Sequence, residues 1–231
     1  MKQLIIEGQK ELTGEIKISG AKNSVVALIP AAILSDEEVT LYNVPNISDT
    51  NALIDIIELL NGKVDYKDEV MKIDTHNIEN KIVPENLSKK LRASYYFMGA
   101  LLGKYKRAEM HFPGGCSIGA RPIDLHLKGF EALGATVDVG QGKIMASCEK
   151  LVGTSIYMDV VSVGATINMI VASCIGKGTV IIRNVAKEPH VLDLISFLNI
   201  CGADITLYGD YIKVVGVSAL KGKRYRIYSD M

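Results

Sequence analysis

The sequence predicts a single α/β domain built from three copies of one β-α-β-α-β-β unit, with helices packed in the middle and sheets outside. Three observations lead there. The first is a helix-stop-strand signature that occurs three times, as Leu60-Asn61-Gly62-Lys63-Val64, Leu133-Gly134-Ala135-Thr136-Val137 and Cys201-Gly202-Ala203-Asp204-Ile205. Its glycines lie 72 and then 68 residues apart, a spacing that marks internal repeats. The second is an apolar helical segment upstream of each signature, at 24–34, 94–102 and 166–175. Val25-Val26-Ala27-Leu28-Ile29 and Met169-Ile170-Val171-Ala172 are apolar almost all round, as a helix buried on every side must be. The third is a strand pattern after each such helix, at 39–44, 107–112 and 179–185.

The remaining elements follow in order. A second, amphipathic helix in each unit ends at the signature glycine, which suits a left-handed C-cap. A closing hairpin comes next, clearest at 204–207 and 211–215 around Gly209-Asp210. The polar stretch 74–84 reads as the linker between the first two units, and the tail from Lys221 opens a further strand at 224–228. The boundaries expected from this reading are an N-terminal strand segment at 1–20, the three-unit domain at 21–220, and the start of another domain at 221–231.

Composition narrows the function. Among 231 residues, 26 Lys and Arg balance 26 Asp and Glu, and tryptophan is absent. A nucleic-acid binder normally carries a basic excess and aromatic stacking platforms. The longest apolar run, 25–34, contains Pro30 and is about half of what a membrane span needs. Cys116, Cys148, Cys174 and Cys201 form no closely spaced pair, so a disulfide framework or zinc site reads poorly and a reducing cytoplasm fits better. No metal site and no cofactor is expected.

The units differ in one place. From the residue that closes the second strand to the signature glycine, unit one takes 17 residues, unit three 16 and unit two 21. The excess lies in Pro113-Gly114-Gly115-Cys116-Ser117-Ile118-Gly119-Ala120-Arg121-Pro122. Glycines and extra length suit a lid over an active site, although the same length fits an ordinary surface insertion. A lone cysteine is usually buried and inert. Cys116 instead sits in a polar loop just before Arg121 and a helix start, where positive charge and the helix dipole favour a reactive thiol. The three apolar helices begin near Lys22-Asn23-Ser24, Arg92-Ala93-Ser94 and Gly164-Ala165-Thr166, each with a hydroxyl residue suited to capping. If the units have threefold pseudo-symmetry, these starts point the same way and, with Lys22 and Arg92, form an anion site. Taken singly, either cation would be plain surface charge.

The loop PGGCSIGARPIDLHLKGFEALGA, the start GAKNS and the stretch SVGATINMI together resemble the UDP-N-acetylglucosamine 1-carboxyvinyltransferase family of enolpyruvyl transferases, along the whole chain. The resemblance implies an inside-out α/β barrel and transfer of enolpyruvyl from phosphoenolpyruvate to the 3-hydroxyl of UDP-N-acetylglucosamine, with release of phosphate, in peptidoglycan synthesis. It implies that Lys22, Asn23 and Arg121 bind phosphoenolpyruvate. It implies that Arg92, Arg121, Pro122, Ile123, Asp124, Leu125, Ser162, Val163 and Gly164 bind the uridine nucleotide, and that Cys116 is the general acid and the target of fosfomycin. Some members of that family carry lysine at the position of Val160. Members are nearly twice as long, and the further half supplies a second domain and the aspartate that takes the sugar hydroxyl proton. Two other readings stand beside transfer: a substrate-binding fragment without turnover, and an RNA-binding or RNA-modifying protein, which zero net charge and few aromatics oppose.

Overall fold

The structure, a computed structural model, describes residues 3–9, 11–114 and 123–230. Unit one comprises α1 (Lys22–Ala32), β1 (Val39–Tyr42), α2 (Ser48–Leu59), β2 (Lys63–Lys67) and β3 (Val70–Asp74). Unit two has the short α3 (Glu85–Ser88), a 3-10 turn (Arg92–Tyr95), α4 (Tyr96–Tyr105), β4 (Arg107–His111), α5 (Asp124–Ala132), β5 (Thr136–Gly140) and β6 (Lys143–Ser147). Unit three has β7 (Ser155–Tyr157), α6 (Val163–Ser173), β8 (Thr179–Arg183), α7 (Pro189–Ile200), β9 (Asp204–Tyr208) and β10 (Tyr211–Val215). A last strand, β11 (Arg224–Arg226), follows.

Each unit builds one sheet. The orders are β11-β1-β3-β2, β4-β6-β5 and β7-β8-β10-β9. In the second sheet Val83 makes a parallel bridge to Met110 of β4, so it holds the place that β7 holds beside β8. The strands alternate buried and exposed residues, as in β8, where Val180 and Ile182 point inward. The helices form the centre: α4 packs on α6, and α1 packs on α7, α2 and α4. Leu28, Ile29, Phe97 and Ile170 are sealed there, which explains why these segments lack a polar face.

The chain closes on itself. β11 pairs in parallel with β1, with Leu41 opposite Tyr225. Asn43 and Asn184 repeat the same device: each takes a left-handed conformation at the end of its strand. The Asn43 amide donates to Ile227 O beyond β11, and that of Asn184 to Met158 O beyond β7. Unit one therefore takes its first strand from the far end of the chain. Residues 224–226, which the sequence reading expected to open a further domain, lie beside β1 at the edge of the first sheet. Residues 3–9 and 11–18 form no strand among the described residues, and Leu4, Ile5, Ile6 and Leu12 are exposed.

Two local expectations also change. Gly134 and Gly202 end α5 and α7 in the left-handed region, but after α2 that role falls to Asn61 (φ 66°). Asparagine tolerates that conformation. Gly62 is needed for a different reason: a Cβ there would lie 2.6 Å from Ile57 Cγ2. Counted to Asn61, unit one takes 16 residues after Pro45, the same as unit three, so the excess in unit two stands out more sharply. The hydroxyl residues differ as well. All three are buried: Ser24 and Thr166 lie inside α1 and α6, and Ser94 lies in the 3-10 turn before α4. Among the described residues at these starts, Ser162 caps, its Oγ accepting from Ala165 N at 3.3 Å.

Candidate functional site

The starts of α1 and α6 and the 3-10 turn before α4 converge on one cleft of about 830 Å³. Lys22 and Asn23 line it from α1, Arg92 from the turn, and Ser162, Val163 and Gly164 from α6. Ile123, Asp124 and Leu125, at the start of α5, complete the wall. The expected site residues that the structure describes are thus brought together. Cys116, Arg121 and Pro122 lie outside the described residues.

The cleft's charge is local. Lys22 Nζ sits 2.7 Å from Asp49 Oδ2 at the first turn of α2. Lys22 is half exposed, and such a pair holds its ammonium only weakly. An incoming phosphate or carboxylate can therefore recruit it. The start of α6, an eleven-residue helix, adds the positive end of its dipole beside Ser162. Lys128 pairs with Asp159 at 2.5 Å on the rim. Val160, which is exposed, supplies no charge where a lysine would.

Several lining residues escaped the sequence reading: Asp49, Tyr95, Tyr96, His126, Asp159 and His190. Burial pushes the Tyr96 hydroxyl pKa up to about 12, tempered by Arg92, so it stays protonated. His126 is buried against the Tyr95 ring, with centroids 5.1 Å apart. Desolvation, reinforced by the Arg92 charge and opposed by Asp124, pushes its pKa down to about 4. Behind it stands Asn168, fully buried in α6. The signal that could have found this pair is Asn168 itself, a lone amide in an otherwise apolar helical run.

Away from the cleft, the described cysteines are quiet. Burial raises the thiol pKa of Cys148 and Cys174, and that of Cys201 to about 12. No group of metal-binding side chains occurs among the described residues. No described helix is long and apolar enough to cross a membrane.

The comparison with known proteins follows the same outline. The family profile of EPSP synthase (3-phosphoshikimate 1-carboxyvinyltransferase) matches residues 6–231. The chain belongs to this family of enolpyruvyl transferases. Among curated relatives, UDP-N-acetylglucosamine 1-carboxyvinyltransferase 2 of Bacillus anthracis is 50% identical over 232 residues, which cover 100% of this chain and 54% of the relative. The Clostridium acetobutylicum protein of the same name is 47% identical, covering 100% of this chain and 56% of the relative. This family member therefore spans about half the length of the curated relatives it matches. Of solved structures, the enolpyruvyl transferase NikO from Streptomyces tendae superposes with a TM-score of 0.85 at 22% identity, covering 97% of this chain and 54% of that one. EPSP synthase from Acinetobacter baumannii gives 0.78 at 16% identity, covering 96% and 52%. Both support the enolpyruvyl transferase fold.

Proposed function

We propose that this chain is the nucleotide-sugar-binding half of an enzyme that transfers enolpyruvyl from phosphoenolpyruvate to the 3-hydroxyl of UDP-N-acetylglucosamine, releasing phosphate, as a step of peptidoglycan synthesis in the cytoplasm. The observation that carries this reading is the convergence of Lys22, Asn23, Arg92 and the α6 start on one cleft, in a chain half identical to relatives of that name. Two polyanionic substrates need clustered cations. Lys22 and Asn23 face phosphoenolpyruvate, with Arg121 on its phosphate or carboxylate. Arg92, Arg121, Pro122, Ile123, Asp124, Leu125 and Ser162 to Gly164 hold the uridine nucleotide.

Addition of an alcohol across an enol ether requires a proton on the methylene carbon and a base on the hydroxyl. Cys116 supplies that proton. The base belongs to a second domain of the same enzyme, the one macromolecular partner in this reading. In this reading the 1–20 segment belongs to that second domain as a strand, and the exposure of Leu4, Ile5, Ile6 and Leu12 supports that, since such apolar residues need a partner to bury them. A second reading rests on the chain's span: by itself the chain binds the sugar nucleotide without turning it over.

The test is chemical. Fosfomycin, with UDP-N-acetylglucosamine present, should place a single adduct on Cys116, read by mass spectrometry of peptides. The thiols of Cys148, Cys174 and Cys201 are held protonated by burial and should stay unlabelled. Labelling of any of these while Cys116 stays unmodified would remove Cys116 from the mechanism. Phosphate release from phosphoenolpyruvate by the chain alone would replace the second reading with full activity.

A further inference from the structure

The buried amide behind the cleft dictates where one proton sits. Gly99 N donates to Asn168 Oδ1 at 3.1 Å. A backbone N–H can only donate, so the other amide atom is Nδ2, a donor of two hydrogens. One goes to Tyr95 O at 3.2 Å and the other to His126 Nδ1 at 2.7 Å. His126 Nδ1 must then be the acceptor, which leaves the ring proton on Nε2. The Cε1–Nε2 edge lies against Gly164, where an added Cβ would stand 3.0 Å from Cε1 and 3.1 Å from Nε2. Gly164 and His126 both line the cleft. No hydrogen bond among the described residues uses Nε2.

We propose that Asn168 locks His126 as the neutral tautomer protonated on Nε2, and that this N–H donates to a diphosphate oxygen of the nucleotide sugar beside Gly164. Asn168 is the positioning residue and His126 the binding group. The inference rests on the substrate reading above and adds a donor to it. The site then holds two kinds of donor: cations that pull the diphosphate in, and a neutral N–H with a fixed direction. The groups facing the ring favour its neutrality. Burial beside the Tyr95 ring desolvates it, Arg92 repels a second proton, and Asp124 opposes them. The absence of a side chain at Gly164 lets the ring edge reach the wall, so this glycine is part of the device.

Long-range ¹H–¹⁵N correlation spectra of the labelled 231-residue chain test the lock directly. His126 should show a bare Nδ1 and a protonated Nε2 from pH 7.5 down to about pH 5.5. Asn168→Asp, which offers an acceptor in place of the donor, should move a proton onto Nδ1. A protonated Nδ1 in the parent chain would overturn the proposal. Titration with UDP-N-acetylglucosamine should then shift the Nε2 resonance, whereas uridine should not. His126→Phe should weaken UDP-N-acetylglucosamine roughly tenfold or more, as loss of a hydrogen bond to a charged group does, and leave uridine unaffected. If the amides of Ser162 to Gly164 respond to UDP-N-acetylglucosamine while Nε2 does not, the donor role fails and the substrate reading stands. If none of these resonances responds, the substrate reading falls and the donor role with it, while the tautomer still reports the lock.

Discussion

The hydroxyl of Tyr225 donates to Asp193 Oδ1 at 2.5 Å, joining β11 to the buried face of α7. Tyr228 N donates to the other carboxylate oxygen at 3.2 Å. Asp193 is fully buried, so its charge is tolerable only because both oxygens are met. This carboxylate holds the returning end of the chain against unit three, as the Asn43 amide holds it against unit one. Tyr225→Phe removes one donor from a buried carboxylate and should cost about 2 kcal/mol, measured as a fall in the urea midpoint at constant slope. Hydrogen exchange should show residues 224–228 opening before the helical centre does. Unchanged protection there would mean that the edge strand is held by its ladder alone.

The buried imidazole makes stability depend on pH. His126 has a folded pKa near 4 against an ordinary 6.5, so the unfolded chain binds the extra proton first. Its contribution is complete above pH 6.5 and is lost as pH falls from 6.5 towards 4, amounting to about 3 kcal/mol. His190, also depressed by burial, adds to the same slope. Denaturation midpoints from pH 7 to 4.5 should fall steadily, and His126→Leu should flatten most of that fall. A slope that persists in the variant would assign the titration elsewhere.

What could be read in advance divides along physical lines. Helix period, turn glycines and the 204–215 hairpin are local, and local chemistry marks them in the chain. The partner of β1 lies about 184 residues away, and no local pattern names it. The clue that existed was the pair Asn43 and Asn184, at matching places in two units. Asn61 was overlooked because glycine is the commoner left-handed residue and one stood next to it. The cleft's cations were legible as helix-start residues. His126 was not, because only the crossing of α5 with α6 brings it against Asn168.

Lys104 shows how the opposite end of the helical centre is finished. Its ammonium, almost buried, donates to Ile33 O at 2.7 Å and Ser35 O at 2.9 Å, just past the end of α1. Asp36 approaches at 2.8 Å from solvent. Ser35 O also accepts from the Thr75 hydroxyl at 2.8 Å, so the cation adds a second donor there and answers the negative end of the helix dipole. Lys104→Met keeps the stem and removes the charge, and should cost about 1–3 kcal/mol in the urea midpoint. Lys104→Arg should recover part of it. An unchanged midpoint for Lys104→Met would show that water serves these carbonyls equally well.

The crossing of α4 with α6 sets the limit on what the site can absorb. A Cβ on Gly99 would fall 2.5 Å from Asn168 Oδ1 and 2.8 Å from Asn168 O, the second of which is backbone and cannot swing aside. Gly99→Ala should therefore push the helices apart and break the N–H donation that orients the Asn168 amide. Overpacking of this kind costs about 1–3 kcal/mol, equivalent to a melting temperature lower by roughly 2–12 °C in a chain of this size. The loss should carry a second mark. With Asn168 released, the His126 ring nitrogens should show averaged protonation at pH 7 instead of a single tautomer. Gly103→Ala, whose Cβ would meet Ala172 O and Val171 O at 3.1 Å one turn further from the cleft, should destabilise without that spectral change. If both variants leave the ring tautomer intact, the amide keeps its orientation from Tyr95 and His126 alone.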